Sequence, residues 1–292
     1  MMDYMENIPV QNRNRLNDQY VKYLFANEDN KHFTVSLTNS ILVCKKLKLI
    51  KDFSFVGTEL NASTKDDKYC RLDIHGKTSE GNNINIEIQD REYKGMVERI
   101  LYYFLKSVIL QKGHLYKELK RNISISILNF NLFPNKLVQR FNNCYMLINI
   151  EDFSDKLTDF IEAHFIEIPK WENKRPKLQD MNMLDKWLAY LSNKTDPQER
   201  YNLLTGDEIM TQVALAEEKF FSDPEKVLAY VRAEKAENDA EAREDFVREE
   251  AREEAIDERN RTFVMNLRNM NMSDEQIAKA GGMTLEQVRA IS

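Results

Sequence analysis

Cysteine is scarce: Cys44, Cys70 and Cys144 are the only three in 292 residues, and no two stand at CxxC spacing. An odd, scattered set excludes a disulfide framework and a zinc knuckle, so the three read as buried or incidental thiols. Long apolar runs are missing too. None approaches the roughly 18 residues that a membrane span needs. Asp3, Glu6, Pro9 and Arg13 interrupt the N-terminal stretch before the apolar core of a signal peptide could form. The chain therefore reads as soluble and cytoplasmic, with no membrane partner. It also lacks a long internal repeat.

An excess of positive charge is absent as well: the formal net charge is -6. That charge is unevenly divided. Residues 201–292 hold 12 Lys and Arg against 21 Asp and Glu; taken from totals of 42 and 48, this leaves 30 and 27 in residues 1–200, a balance of +3. The acidity belongs to the tail. The front part is compatible with contacting phosphates, although it lacks the strongly basic footprint that would argue for nucleic acid unaided.

What is present is a clear sequence of periodicities. Helical spacing places Leu16, Tyr20, Tyr23 and Leu24 on one stripe and Phe33, Leu37, Ile41 and Leu42 on another, with a break near Asn27 to Asn30. Phe53 to Leu60 has strand character. Tyr69 to His75 and Asn83 to Gln89 alternate strictly, which is the period of a strand with one buried face. Leu72, Ile74, Ile84, Ile86 and Ile88 turn inward, and Asp73, His75, Glu87 and Gln89 turn to the other side. An amphipathic helix from Tyr93 to about Lys112 follows, with Val97, Ile100, Leu101, Phe104 and Val108 on its apolar face and Gly113 as its stop. Three more strands are expected at 123–130, 142–150 and 164–168, and a helix near 181–192.

The tail is helical by pattern. From Glu217 to about Leu267 it is charged and glycine-free, with a thin apolar stripe at Ala236, Ala240, Val247, Ala251 and Ala255; a long exposed helix, a weak coiled coil and partial disorder all fit this composition. Two capping boxes, Ser273 with Gln276 and Thr284 with Gln287, open a closing helix pair around Gly281 and Gly282. Lys279 and Arg289 are too few cations for a DNA-binding helix-turn-helix, so the pair suggests docking or homo-oligomerisation. The expected division is 1–204 and 205–292.

The two alternating strands can close as a hairpin. Directly opposed residues share a face, so Asp73 must oppose a polar-face residue. If that residue is Glu87, Thr78 opposes Asn82 and the loop is Ser79-Glu80-Gly81, with glycine where such loops take a left-handed residue; a five-residue loop with slightly different ends preserves the same register. Like charges directly opposed destabilise a sheet unless solvent screens them or a cation lies between them. Two carboxylates suit Mg²⁺ or Mn²⁺ together with water and a substrate phosphate. A solvated charged face is the other arrangement that fits the same pattern.

Asp18 to Phe25, Thr38 to Ile41, Leu72-Asp73-Ile74, Asn85 to Gln89, Glu98-Arg99 with Tyr102-Tyr103, Gly113 to Tyr116 and Ile127 to Phe130 resemble, in order and spacing, the Rpn family. That family comprises recombination-promoting nucleases and transposases with a PD-(D/E)XK core, and the resemblance covers about 16–133. It implies an α/β fold, a restriction-endonuclease-like mixed sheet flanked by helices, followed here by the helical tail. It also implies a Mg²⁺-dependent DNA endonuclease, with Mn²⁺ as the alternative ion and DNA as partner. Asp73 and Glu87 would be its metal ligands, and Ile88 would turn its side chain to the core and offer its backbone carbonyl. Gln89 stands where the wider superfamily has lysine. It can position water but cannot carry a positive charge or act as a base.

Lys22 is then a candidate for the missing charge, or a solvated helix lysine. Asp18 is a further carboxylate or a helix N-cap, Glu59 a third acidic candidate, and Arg99 a phosphate-binding candidate or a structural ion-pair partner. A catalytically weak or inactive nucleic-acid-binding or regulatory protein of the same fold is the competing expectation.

Overall fold

Isoleucines alternating with small polar residues build the centre of the fold. The computed structural model describes residues 8–56, 59–60, 70–71, 74–92, 95–109, 119–134, 136 and 138–291, without the side chains of 59–60, 70–71, 103 and 106–109. The strands are β1 (Ser54–Phe55), β2 (Glu59–Leu60), β3 (Cys70–Arg71), β4 (Ile74–Lys77), β5 (Asn83–Gln89), β6 (Asn122–Leu128), β7 (Asn142–Met146) and β8 (Ile161–Glu167). Among the described residues the main sheet has six strands in the order β1-β4-β5-β6-β8-β7. β5, β6 and β8 run parallel, and the flanking pairs are antiparallel. β2 and β3 form a separate pair, with Glu59 opposite Arg71.

The helices are α1 (Asp18–Phe25), α2 (Lys31–Cys44), α3 (Met96–Ile109), α4 (Ile168–Glu172), α5 (Met183–Leu191), α6 (Pro197–Thr205), α7 (Glu208–Phe221), α8 (Pro224–Asn269), α9 (Asp274–Gly281) and α10 (Leu285–Ala290). One sheet face, carrying Ile84, Ile86, Ile123, Ile125 and Ile166, shares a buried core with Leu24 of α1, Leu37 and Ile41 of α2, Trp187 of α5 and Val213 and Phe220 of α7. α3 covers the other face, where Met96 and Ile100 pack with Leu128, Ala163 and Phe165. This is the expected mixed sheet flanked by helices.

Several local expectations change. The strand expected over 53–60 divides, its first part joining the main sheet as β1 and its last part pairing with β3. On α3, Leu101 is exposed, and Met96, Ile100 and Phe104 form the buried stripe; Val108 and Gly113 lie outside the described side chains and residues. The charged helix does not run on from Glu217. α7 ends at Phe221, and α8 starts anew at Pro224, where Asp223 accepts the amides of Glu225 and Lys226. A proline at the first helical position and an aspartate before it favour such a start. Among the described residues, no helix is long and apolar enough to cross a membrane.

Compact units divide at Met1–Ala233 and Glu234–Ser292. Inside the first, a buried carboxylate gathers distant parts of the chain. Glu217 on α7 accepts hydrogen bonds from Arg13 Nη1 at 3.3 Å, Arg15 Nη2 at 3.1 Å and Tyr190 Oη at 2.9 Å, and it pairs with Arg200 of α6. Tyr190 Oη also hydrogen-bonds Tyr20 Oη of α1. Burial alone would raise the Glu217 carboxyl; Arg15, Arg200, the Tyr190 hydroxyl and Arg13 outweigh it and hold the group below the usual carboxylate range.

Inside the second unit, Val264 of α8, Ile277 of α9 and Val288 of α10 form a small core. Both expected capping boxes are present, and Gly282 ends α9 at φ 64°. Arg268 joins the pair to α8: its guanidinium donates to Asp274 Oδ1 at 3.1 Å and to the carbonyls of Val288 at 2.9 Å and Ile291 at 2.5 Å.

Gly76 of β4 is fixed by its surroundings. A Cβ built there would lie 2.3 Å from Phe53 Cζ and 2.6 Å from the Ser54 carbonyl oxygen. The second neighbour is backbone, so β1 itself would have to move. Gly76→Ala is expected to destabilise the protein by about 1–3 kcal/mol. A thermal melt should read this as a fall in Tm of roughly 3–10 °C, and an unchanged Tm would refute it.

Candidate active site

The β4–β5 hairpin adopts the register that its two faces demand. Ile74 pairs with Ile86, His75 with Asn85, Gly76 with Ile84 and Lys77 with Asn83. The loop closes as expected: Thr78 N donates to Asn82 O at 3.0 Å, Gly81 N donates to Thr78 O at 2.8 Å, and Gly81 takes φ 85°. Asp73, and with it the expected Asp73–Glu87 pair, lies outside the described residues.

Glu87 stands on the face of β5 away from the isoleucines. Its neighbour on β6 is Ser126, which in turn pairs with Phe165 of β8; one row along, His75, Asn85, Ser124 and Ala163 lie in line. A solvated charged face is one of the two arrangements that fit the sequence pattern. The face is covered: Glu87 and His75 are each 6% exposed, and Asn85 and Ser126 less. Strict alternation gives the same sequence pattern whether the polar face meets water or protein, and here α3 packs on the same face against Leu128, Ala163 and Phe165. The Ile88 side chain faces the main core, as expected.

The end of β5 is anchored by residues that the sequence reading did not single out. Asn129, just beyond β6, donates its amide N–H to Gln89 O at 2.9 Å and its side-chain Nδ2 to Asp90 Oδ1 at 2.7 Å. Asn14 Nδ2 donates to Asp90 Oδ2 at 3.1 Å, and Asn14 N donates to Tyr230 Oη at 2.7 Å. Asp90 thus ties the strand carrying Glu87 and Gln89 to the segment entering α1. Two asparagines 115 positions apart leave no local periodic signal; an aspartate directly after Glu-x-Gln was the one visible hint.

Lys22 and Asp18 meet each other. The Lys22 ammonium lies 2.5 Å from Asp18 Oδ1 and 2.6 Å from Oδ2. Asp18 is not the helix cap either: Asn17 accepts the amides of Gln19 and Tyr20, and Asp18 is the first helical residue. Gln89 is half-buried at the strand end, and Arg99 is on the exposed side of α3. The side chain of Glu59 lies outside the described part. Among the described residues no group of three or more His, Cys, Asp or Glu could hold a metal ion.

A second polar cluster lies on the main-core face and is unsuited to nucleophilic chemistry. Cys144 Sγ is 3.8 Å from His164 Nε2, and Glu162 approaches the same nitrogen at 3.5 Å. The acid therefore cannot orient the imidazole from its far side, as a triad needs. Burial, with Glu162 adding to it, pushes the Cys144 thiol up to about 11, so it stays protonated at neutral pH. Glu162 is instead engaged by Arg121, through Nε at 2.6 Å and Nη2 at 2.7 Å.

Residues 15–245 match the sequence model of the family described as PD-(D/E)XK nuclease family transposase. The chain belongs to this family. The match takes in all six strands of the main sheet, with Glu87 in its centre. Family membership brings a nuclease-type function, and PD-(D/E)XK nucleases generally use divalent metal ions. No curated protein and no solved structure matches the chain.

Proposed function

We propose that this family member is a Mg²⁺-dependent DNA endonuclease whose phosphodiester hydrolysis serves recombination or transposition, as in the Rpn nucleases that its motifs resemble. The observation carrying the reading is the hairpin register. Ile74 opposes Ile86, and the next residues in sequence towards the strand end are Asp73 and Glu87. The donor set fits a hard cation: two carboxylates, with the Ile88 carbonyl as a third oxygen, suit Mg²⁺ or Mn²⁺ better than softer metals. Bound there, the ion would polarise the scissile phosphate and acidify a water.

The protein groups have separate tasks in this reading. Glu87, sunk on a covered face, holds its carboxylate in low-dielectric surroundings where charge interactions are strengthened. Gln89 orients the attacking water with a neutral amide. Arg99, exposed on α3, grips a phosphate of the incoming strand. Lys22 must leave Asp18 before it can serve the reaction; Asp18 and Glu59 are reserve carboxylates.

That Lys22–Asp18 contact favours a second reading, in which the fold binds nucleic acid without turnover, because Lys22 held by Asp18 does not replace the charge absent at Gln89. Plasmid nicking across divalent metals separates the two. Wild type should convert supercoiled to open-circle DNA with Mg²⁺ or Mn²⁺, and Asp73→Ala should lose at least about a hundredfold in rate, a typical effect for loss of one charge-stabilising group. DNA binding without nicking under every metal would establish the second reading instead.

A further inference from the structure

From the pattern of exposed apolar and charged groups we infer that the chain forms a two-fold dimer through the end of the sheet opposite Gln89 and Asp90, each copy placing an acidic apolar arm on the other's lysine-rich end. The arm is the connection between β7 and β8. It is an ordered hairpin: Ile148 bridges to Lys156, Asn149 N donates to Asp155 O at 2.9 Å, and Leu157 N donates to Leu147 O at 3.1 Å. Yet Ile150, Phe153 and Leu157 are 84%, 75% and 80% exposed. Large apolar side chains held in order but out of contact mark an interaction surface.

The charge around them selects the partner. Glu151, Asp152, Asp155 and Asp159 against Lys156 leave the arm at -3, which repels a phosphate backbone and calls for a basic, partly apolar surface. This chain has one at the same end of the sheet. Lys48, Lys51, Lys77 and Lys120 are exposed there, with Asp52 and Glu80 as the opposing acids, a balance of +2. Leu49 is exposed between the lysines. Contacts gather these residues: Lys48 Nζ reaches Glu80 at 2.8 Å, the Ser79 amide donates to Asp52 Oδ1 at 2.8 Å, and Arg121, just ahead of β6, donates to the Lys48 carbonyl at 3.0 Å. Asn122 N donates to Phe160 O at 2.7 Å, which places the base of the arm beside them.

A surface with adjacent +2 and -3 patches, each with exposed apolar groups, is self-complementary under a two-fold rotation, the symmetry of an isologous dimer. The proposed contact lies at the end of the sheet away from Gln89 and Asp90.

The test is sedimentation velocity on the full chain at micromolar concentration. Wild type should be a dimer that weakens as salt rises. Phe153→Glu with Leu157→Glu should be monomeric. Lys48→Glu with Lys51→Glu, and separately Glu151→Lys with Asp159→Lys, should each weaken the dimer at least tenfold, and an equimolar mixture of the two charge-reversed chains should restore it. A wild type that stays monomeric overturns the proposal, leaving the arm for some other protein. A dimer equally strong in every variant overturns it as well, and would assign association to another surface such as the C-terminal helices.

Discussion

Glu87→Gln is expected to reduce metal-dependent cleavage by about a thousandfold or more, near 4 kcal/mol of transition-state stabilisation. The substitution keeps the volume of a side chain that is only 6% exposed, so the packing of α3 over the sheet should persist. What it removes is a negative oxygen. The distinguishing measurement needs no turnover: Mg²⁺ at a hundred times its dissociation constant should stabilise the wild type by roughly 2.7 kcal/mol. On a unit of this size that is a rise in Tm of about 5–10 °C, absent from the variant. Cleavage retained within tenfold by Glu87→Gln would remove Glu87 from the site. A Tm response to Mg²⁺ in both proteins would place the ion elsewhere.

Glu217→Gln is expected to destabilise the protein by about 3–5 kcal/mol, because it removes the one fully buried anion among Arg13, Arg15 and Arg200 and leaves buried cations uncompensated. The pH dependence has a definite sign. The folded Glu217 carboxyl is held below its ordinary range, so its contribution is fully present above the unfolded value of about 4.3 and is lost as pH falls through the lower folded value. Urea melts of wild type and variant should therefore differ by a constant amount near neutrality and converge below about pH 4. A gap that instead grows on acidification would contradict the assignment. Cleavage by the variant, measured well below its melting temperature, should change little.

The parts legible in the sequence were those governed by short-range periodicity. Alternation at Ile84, Ile86 and Ile88 and the glycine at position 81 were enough to set the hairpin and its register, and Ser273 with Gln276 and Thr284 with Gln287 announced their helices. Whether the polar face meets water or protein is not legible, since Asn85 and Glu87 alternate identically in either case. The Arg13, Arg15 and Glu217 cluster joins residues more than 200 positions apart, beyond any periodic signal. Asn17 and Asp18 are neighbouring polar residues that cap helices almost equally well, and only the backbone decides between them. On the arm, Ile150, Phe153 and Leu157 have the composition of a core and the exposure of an interface.

Gly81 gives the site its address. A strand has a period of two, so a hairpin slipped by one position would turn Glu87 in among the isoleucines and push Ile86 and Ile88 to the other side. The left-handed glycine at φ 85° closes a three-residue loop, and loops of two or four residues would install the slipped alternatives. The chemistry proposed at Glu87 thus depends on a residue with no side chain, six positions upstream, whose task is to prevent a counting error.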